Sequence, residues 1–85
     1  MKAKTIIFPH EDGFHVLVWG AWTEGSMRVH SFDDRISMIA LLENLRLILP
    51  EEARDLNDFN FLNSCPIYSS EIDEEMLDAH GFRRA

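Results

Sequence analysis

The stretch that decides the fold is KTIIFPHEDGFHVLVWGAW, residues 4–22. Two runs within it, residues 4–8 and 14–22, are rich in β-branched and aromatic side chains, which is the composition typical of strands. Glu11-Asp12-Gly13 separates them, and an Asp-Gly pair favours a two-residue hairpin turn because both turn residues need positive φ. We therefore predict an antiparallel hairpin with Asp12 and Gly13 in the turn.

The residues that follow extend this hairpin into a meander and then a helix. Residues 23–26 hold a second turn signal, Glu24-Gly25, and residues 27–31 alternate as a third strand. Ser31 is then placed to cap a long helix over about residues 32–49, which Pro50 ends. Apolar side chains recur along that helix at helical spacing, so most of it is expected to be buried. They are Met38, Leu41, Leu42, Leu45, Ile48 and Leu49.

The segment after this helix predicts a short helix and then a stretch with two interpretations. Pro50 suits the first position of a helix over residues 50–56, because its missing N–H needs no partner there. In residues 57–68, Phe59 and Phe61 alternate as in a strand, whereas several asparagines and a proline favour an irregular segment. Both alternatives, with and without a short fourth strand, stay open.

The C-terminal end predicts a last helix over residues 71–80. Ser70 is its expected N-cap. Gly81 stands where a Schellman motif packs Phe82 back onto Leu77. The predicted fold class is α+β: a three-stranded antiparallel β-meander packed on a long helix, with a short helix and a C-terminal helix. Residues 1–85 are expected to form a single domain, since no repeat or linker divides them.

The two predicted turns fix a register and sort the strand side chains into two faces. The predicted core face carries Ala3, Thr5, Ile7, Phe14, Val16, Val18, Trp22, Met27 and Val29. The predicted second face carries Ile6, Phe8, Leu17, Trp19, Ala21 and Phe32 with His10, His15, Arg28 and His30. Since this second face is also apolar, it needs a cover. Two covers stay open: the C-terminal third of the chain, or another protein subunit.

Composition limits the classes of function. Lysine and arginine total 8 against 15 acidic residues, a net charge of -7, and direct binding to nucleic-acid phosphates needs a basic surface instead. The apolar runs are far shorter than the ~20 residues of a membrane span, and the start of the chain shows no signal-peptide pattern. Because the single cysteine, Cys65, cannot form an internal disulfide, the expected compartment is the cytoplasm.

Three histidines on the predicted second face raise a metal hypothesis. His10 and His15 would be cross-strand neighbours, but His30 would lie about 13 Å along the strand from His15 at ~3.3 Å per residue, too far to share one ion. Nothing near Cys65 in the sequence would activate its thiol. The sequence also lacks phosphate-binding loops and nucleophile elbows. We therefore expect no enzyme, no metal and no cofactor.

Acidic residues in the C-terminal part of the chain form a candidate binding site. Four carboxylates share one face of the predicted last helix at i, i+3, i+4 and i+7, without a compensating lysine or arginine. Such a stripe is either a solvated surface or a docking surface for a basic protein. Aromatic and cationic side chains of the second sheet face suit an interface as well. The predicted partner-binding set is Glu71, Glu74, Glu75, Asp78, Trp19, Arg28 and His30.

The leading functional hypothesis is a small, acidic, non-enzymatic interaction protein. Its partner would be a basic protein that it neutralises, as an inhibitor, immunity protein or antitoxin does, or a second copy of itself. The alternative is a small-molecule or metal-binding domain that uses the His/Trp/Arg face of the sheet. Neither hypothesis involves a membrane or direct contact with nucleic acid.

The order of elements resembles that of a known family. Ile6-Ile7-Phe8 through Glu11-Asp12-Gly13-Phe14-His15-Val16, then a third strand and an amphipathic helix, resembles the start of HicB-type antitoxins over about half the chain. The chain lacks the proline-rich segment that follows the second strand in that family. It also lacks a DNA-binding helix-turn-helix in its last third. The resemblance therefore implies a shared topology and no residue roles.

Overall fold

A computed structural model describes residues 2–20 and 27–84 of the chain. Within them, the strands are β1 Lys2–His10, β2 Gly13–Gly20, β3 Met27–Phe32, β4 Ile67–Glu71 and β5 Arg83–Arg84. The helices are α1 Arg35–Asn44, α2 Pro50–Asn57 and α3 Glu74–Ala79, with a 3-10 turn at Phe61–Asn63. The predicted α+β class is confirmed.

The strands form one antiparallel sheet in the order β4-β1-β2-β3-β5. The predicted meander, β1 to β3, is the centre of this sheet. The prediction of three strands is incomplete, because β4 and β5 each add a strand at an edge. Residues 57–68 therefore do lead into a strand, but it begins at Ile67 and includes neither Phe59 nor Phe61.

The loop of the first hairpin lies one residue earlier than predicted. His10 pairs with Gly13, so Glu11 and Asp12 form the two-residue loop. The register shifts by two residues, and a shift by two keeps every side chain of the hairpin on its predicted face. Gly13 is still required at φ 150°, because a Cβ there would collide with the carbonyl oxygen of Phe32 on β3.

The register between β2 and β3 differs from the prediction by three residues. Trp19 pairs with Met27, whereas the predicted turn paired Trp19 with His30. Side chains alternate along a strand, so an odd shift moves all of β3 to the opposite face. This corrects both predicted faces: Arg28, His30 and Phe32 lie on the core face, and Met27 and Val29 lie on the other.

The observed register is the one that buries the largest apolar side chain of β3. Phe32 pairs with Phe14 and is 9% exposed, whereas the predicted register would have placed it on the second face. The predicted turn could not fix the register against that gain, because Glu is a poor first residue for it. The turn itself, with Ala21 and Trp22, lies outside the described residues.

Helix α1 is shorter than predicted at both ends. It begins after Asp34 and not after Ser31, because β3 continues to Phe32. The Asp34 carboxylate accepts the backbone N–H of Ser37 at 3.1 Å, and this hydrogen bond lowers the pKa of Asp34 below its usual value. At the other end, Arg46 adopts φ 60° and stops the helix. The chain then bends back, which brings Leu47 and Ile48 into the core beside Leu45.

The short helices end as the sequence indicates, but α3 begins later than predicted. Helix α2, with Pro50 at its start, is confirmed. Helix α3 starts at Glu74 after Asp73, because Ser70 and the residue after it belong to β4. The predicted Schellman motif is confirmed. The N–H of Phe82 donates to the Leu77 carbonyl at 3.0 Å, and both side chains are buried.

The core lies on one face of the sheet, and α1 packs on that face as predicted. It joins strand residues to residues of all three helices and of the C-terminal segment. Its fully buried members include Ile7, Val16, Val18, Met38, Leu42, Leu47, Leu56 and Leu77. None of the described helices is long and apolar enough to cross a membrane.

Candidate functional site

The other face of the sheet, which we call the open face, is the candidate site. The register assigns to it Lys2, Lys4, Ile6, Phe8, His10, His15, Leu17, Trp19, Met27, Val29, Ser31, Ile67, Ser69, Glu71 and Arg83. One row across four neighbouring strands is entirely apolar: Ile67, Ile6, Leu17 and Val29. Trp19 and Met27 lie side by side in the next row, and Phe8 lies on the other flank. The centre of the open face is therefore apolar.

Several apolar side chains of this face are accessible to water. Trp19 is 54% exposed, Ile67 is 58% exposed, and Met27 and Phe8 are about two-fifths exposed. None of the described helices covers them. Of the two covers that the sequence left open, the described part of the C-terminal third does not lie on this face, because β4 and β5 extend the sheet and α3 buries Leu77 in the core on the opposite face.

Charge is divided between the two sides of the molecule. The rim of the open face carries Lys2, Lys4 and Arg83, and Glu71 is its carboxylate among the described residues. The helix side carries most of the acid, in Glu43, Glu51, Glu52, Asp55, Asp58, Asp73, Glu74, Glu75 and Asp78. Burial, followed by the carboxylates of Glu52 and Asp55, raises the pKa of the Tyr68 hydroxyl beneath this side.

Arg28 forms ion pairs with two of these acidic residues. Its side chain is only 4% exposed and reaches α3, where Nη2 donates to Glu74 Oε2 at 2.6 Å and Nη1 donates to Asp78 Oδ1. The hydrogen bond with Glu74 is the main reason why the pKa of Arg28 is raised. The two carboxylates lie one helical turn apart, so a single buried guanidinium holds both.

The four predicted stripe carboxylates therefore do not form one surface. Glu71 belongs to β4 and lies on the rim of the open face. Glu74 and Asp78 are bound to Arg28. Glu75 is exposed on α3, and none of the ion pairs among the described residues includes it. The stripe itself contains no lysine or arginine, and its compensating cation is Arg28 on β3.

The three histidines of the sheet are packed with other rings. His30 stacks on Phe32, with ring centroids 4.2 Å apart, and meets Phe82 edge to face at 5.1 Å, so it lies away from Trp19 on the core side. His10 and His15 stack at 4.0 Å at one end of the open face. The described residues contain no group of three or more potential metal ligands.

A shallow apolar cavity of about 770 Å³ lies at the end of β1 and β2 beside Trp19. Lys2, Lys4, Ser69 and Glu71 place polar groups around it. Its size is in the range of small-molecule sites, which are concave, mostly apolar and carry a few polar groups. Its contact with Trp19 makes it part of the same surface.

Sequence reasoning missed two residues that shape the molecule. Ile67 extends the apolar row onto β4, a strand that the sequence left open and did not place at this residue. Arg35 joins α1 to the end of α2: Nη1 donates to the carbonyls of Leu56, Asn57 and Phe59 at 2.9 to 3.0 Å. Free carbonyls at the end of α2 were the available signal, since they attract a nearby arginine.

No protein-family model matches this chain, and no curated protein or solved structure matches it either.

Proposed function

We propose that this protein is a non-catalytic interaction protein that binds a protein partner on its open face. The observation that carries the proposal is the uncovered apolar row around Trp19 on a sheet whose other face holds all the described helices. An antiparallel sheet that faces water on one side normally presents polar side chains there, whereas the centre of this open face is apolar.

The composition of the open face supports a protein as the partner. Protein interfaces combine a desolvated apolar centre with a polar rim and are enriched in tryptophan, phenylalanine, methionine and arginine. Trp19, Met27 and Phe8 form such a centre, and Arg83 stands at the rim. A large exposed apolar patch with a polar rim marks an interaction site.

Site-specific photocrosslinking in the host cell tests this proposal. A benzophenone amino acid at Ile67, 58% exposed on the open face, should give protein adducts. The matched control is Ile36, 76% exposed on α1 and therefore on the helix side, where adducts should be absent. Equal labelling at both positions, or none at Ile67 in a folded chain, would contradict the proposal.

Neutralisation of a basic partner is a second candidate, because the helix side carries most of the acid. After the binding of Glu74 and Asp78 by Arg28, the remaining carboxylates of the helix side include Glu75 and those of α2. A crosslinker at Glu75 should then give an adduct that decreases steeply with salt, since steering by charge is screened. A salt-independent adduct would assign that contact to another cause.

The alternative of a small-molecule or metal site has one supporting observation, the cavity beside Trp19. A ligand that binds only the folded protein raises its melting temperature. Zinc, nickel or copper should therefore raise the melting temperature if the His10 and His15 pair binds metal, and His10→Ala should abolish the rise. We expect no such shift, since structural zinc sites need four ligands.

A further inference from the structure

We propose that the occupant of the open face is a second copy of this chain, packed face to face in a closed dimer. This inference rests on the proposed function and adds the identity of the partner. Most soluble homo-oligomers are closed two-fold dimers in which the same patch on each subunit is buried. The resulting arrangement is a pair of sheets with helices on both outer sides.

The strand order permits such a pairing around β2. β2 is the central strand, with two strands on each side, and it carries Leu17 and Trp19 on the open face. A two-fold axis along β2 places these two side chains near their own copies. The same axis sets β1 over β3 of the other copy, so Ile6 comes opposite Val29. The three inner members of the apolar row, Ile6, Leu17 and Val29, therefore meet apolar side chains of the other copy.

The charges of the rim fit this axis. It exchanges the two edges of the sheet, so Ile67 on β4 comes opposite Arg83 on β5 of the other copy, and Glu71 stands on the same edge about 13 Å further along β4 at ~3.3 Å per residue. Lys4 on β1 comes opposite the apolar residues of β3, where its methylene stem can pack while its ammonium group stays in water. The axis thus keeps like charges apart, which is a requirement for association.

The area of the open face is sufficient for a stable pair. The five strands lie about 4.8 Å apart and are on average about six residues long, with β5 the shortest, so the face measures roughly 24 Å by 20 Å. Two copies therefore cover on the order of 1,000 Å², without counting the relief of the side chains. A specific interface buries at least about that much. Two sheets also pack well at a separation of about 10 Å when their strands cross at about 30°.

Sedimentation of the purified full-length chain over a wide range of concentrations tests the dimer. We expect a monomer and dimer equilibrium that closes at two chains. Trp19→Lys and Ile67→Lys should each weaken dimerisation about tenfold or more. Trp19→Lys places two ammonium groups in the apolar centre of the dimer, and Ile67→Lys places an ammonium group opposite Arg83 of the other copy at each edge. Both side chains are more than half exposed, so the monomer should stay folded, which circular dichroism checks. Ile36→Lys is the matched control and should leave the equilibrium unchanged.

The outcomes separate this inference from the proposed function. A chain that stays monomeric at every concentration overturns the second copy, while adducts of Ile67 with another protein would leave the proposed function standing. Absence of both overturns the two together. Growth beyond two chains also overturns the inference, because it would indicate packing of the open face on the acidic helix side. A dimer unaffected by either lysine variant places the contact elsewhere and overturns it as well.

Discussion

At the scale of single residues, Arg28 determines the role of two carboxylates on the acidic side of the molecule. A buried cation is costly unless it is paired, and Glu74 and Asp78 pair with it from α3. These carboxylates therefore hold the C-terminal helix to the sheet. Their first role is structural, and a partner that competed for them would have to leave Arg28 unpaired.

Removal of both partners should reveal this role. Glu74→Gln with Asp78→Asn should lower the free energy of unfolding by about 2 kcal/mol, less than the ~3–5 kcal/mol of a fully buried pair because both carboxylates are partly exposed. Glu75→Gln is the control and should change it by less than about 0.5 kcal/mol. Adding Arg28→Met to the double variant should restore most of the loss. Urea unfolding measures all three, and a double variant as stable as the wild type would show that Arg28 needs no partner.

At the scale of elements, the end of α1 depends on a residue with an unfavourable backbone conformation. Arg46 occupies the left-handed position that glycine usually takes at the end of a helix, at φ 60°. The N–H of Leu47 donates to the Leu42 carbonyl at 2.9 Å and completes the motif. The motif persists because the turn it makes brings Leu47 and Ile48 into the core beside Leu45.

Arg46→Gly should therefore stabilise the protein by about 1 kcal/mol, because glycine adopts this conformation without the steric cost of a Cβ. The same substitution inside a helix should act in the opposite direction. Arg54→Gly, at an exposed position of α2, should cost about 1 kcal/mol. Both changes in stability can be measured from the midpoints of denaturant unfolding, if the slope of the unfolding free energy against denaturant concentration is unchanged. If Arg46→Gly destabilises the chain as Arg54→Gly does, the backbone at residue 46 is not the source of strain.

The elements that were predicted correctly are those with a strong local pattern. The first hairpin alternates over many residues, Pro50 marks the start of α2, and Gly81 marks the end of α3. The errors lie where two local signals compete. Ser31 and Asp34 both suit an N-cap, and only the burial of Phe32 in β3 decides between them. Ser70 and Asp73 compete in the same way, and the choice of Ser70 as N-cap assigned the end of β4 to the last helix.

The candidate site shows the same limit. Trp19 was placed on the second face correctly, because its strand has a register shift of two, which preserves faces. Arg28 and His30 were placed there wrongly, because the shift of β3 is odd. That shift depends on which side chains the whole core buries. A turn signal of four residues carries no information about it.

At the scale of the whole molecule, the sheet has its core on one face, and none of the described helices covers the open face. A chain of 85 residues buries a smaller fraction of its surface than a larger one does, so an additional covered face adds stability it would otherwise lack. The melting temperature of the chain should therefore rise with the concentration of the protein that occupies the face, whether that protein is a second copy or another partner. Trp19, at 54% exposure in the single chain, reports directly on that occupancy.

The fluorescence of Trp19 should follow the occupancy of the open face. In a Trp22→Phe background Trp19 is the remaining tryptophan. Its emission should be blue-shifted at concentrations where the chains associate and should move to the red on dilution, because the indole ring passes from an apolar contact into water. Ile67→Lys should give the red emission at all concentrations, whereas Ile36→Lys should behave as the parent. Acrylamide should quench the diluted form more strongly than the concentrated one. An emission that stays red and equally quenched throughout means that Trp19 faces water at every concentration of the chain, which removes the open face as the site of self-association.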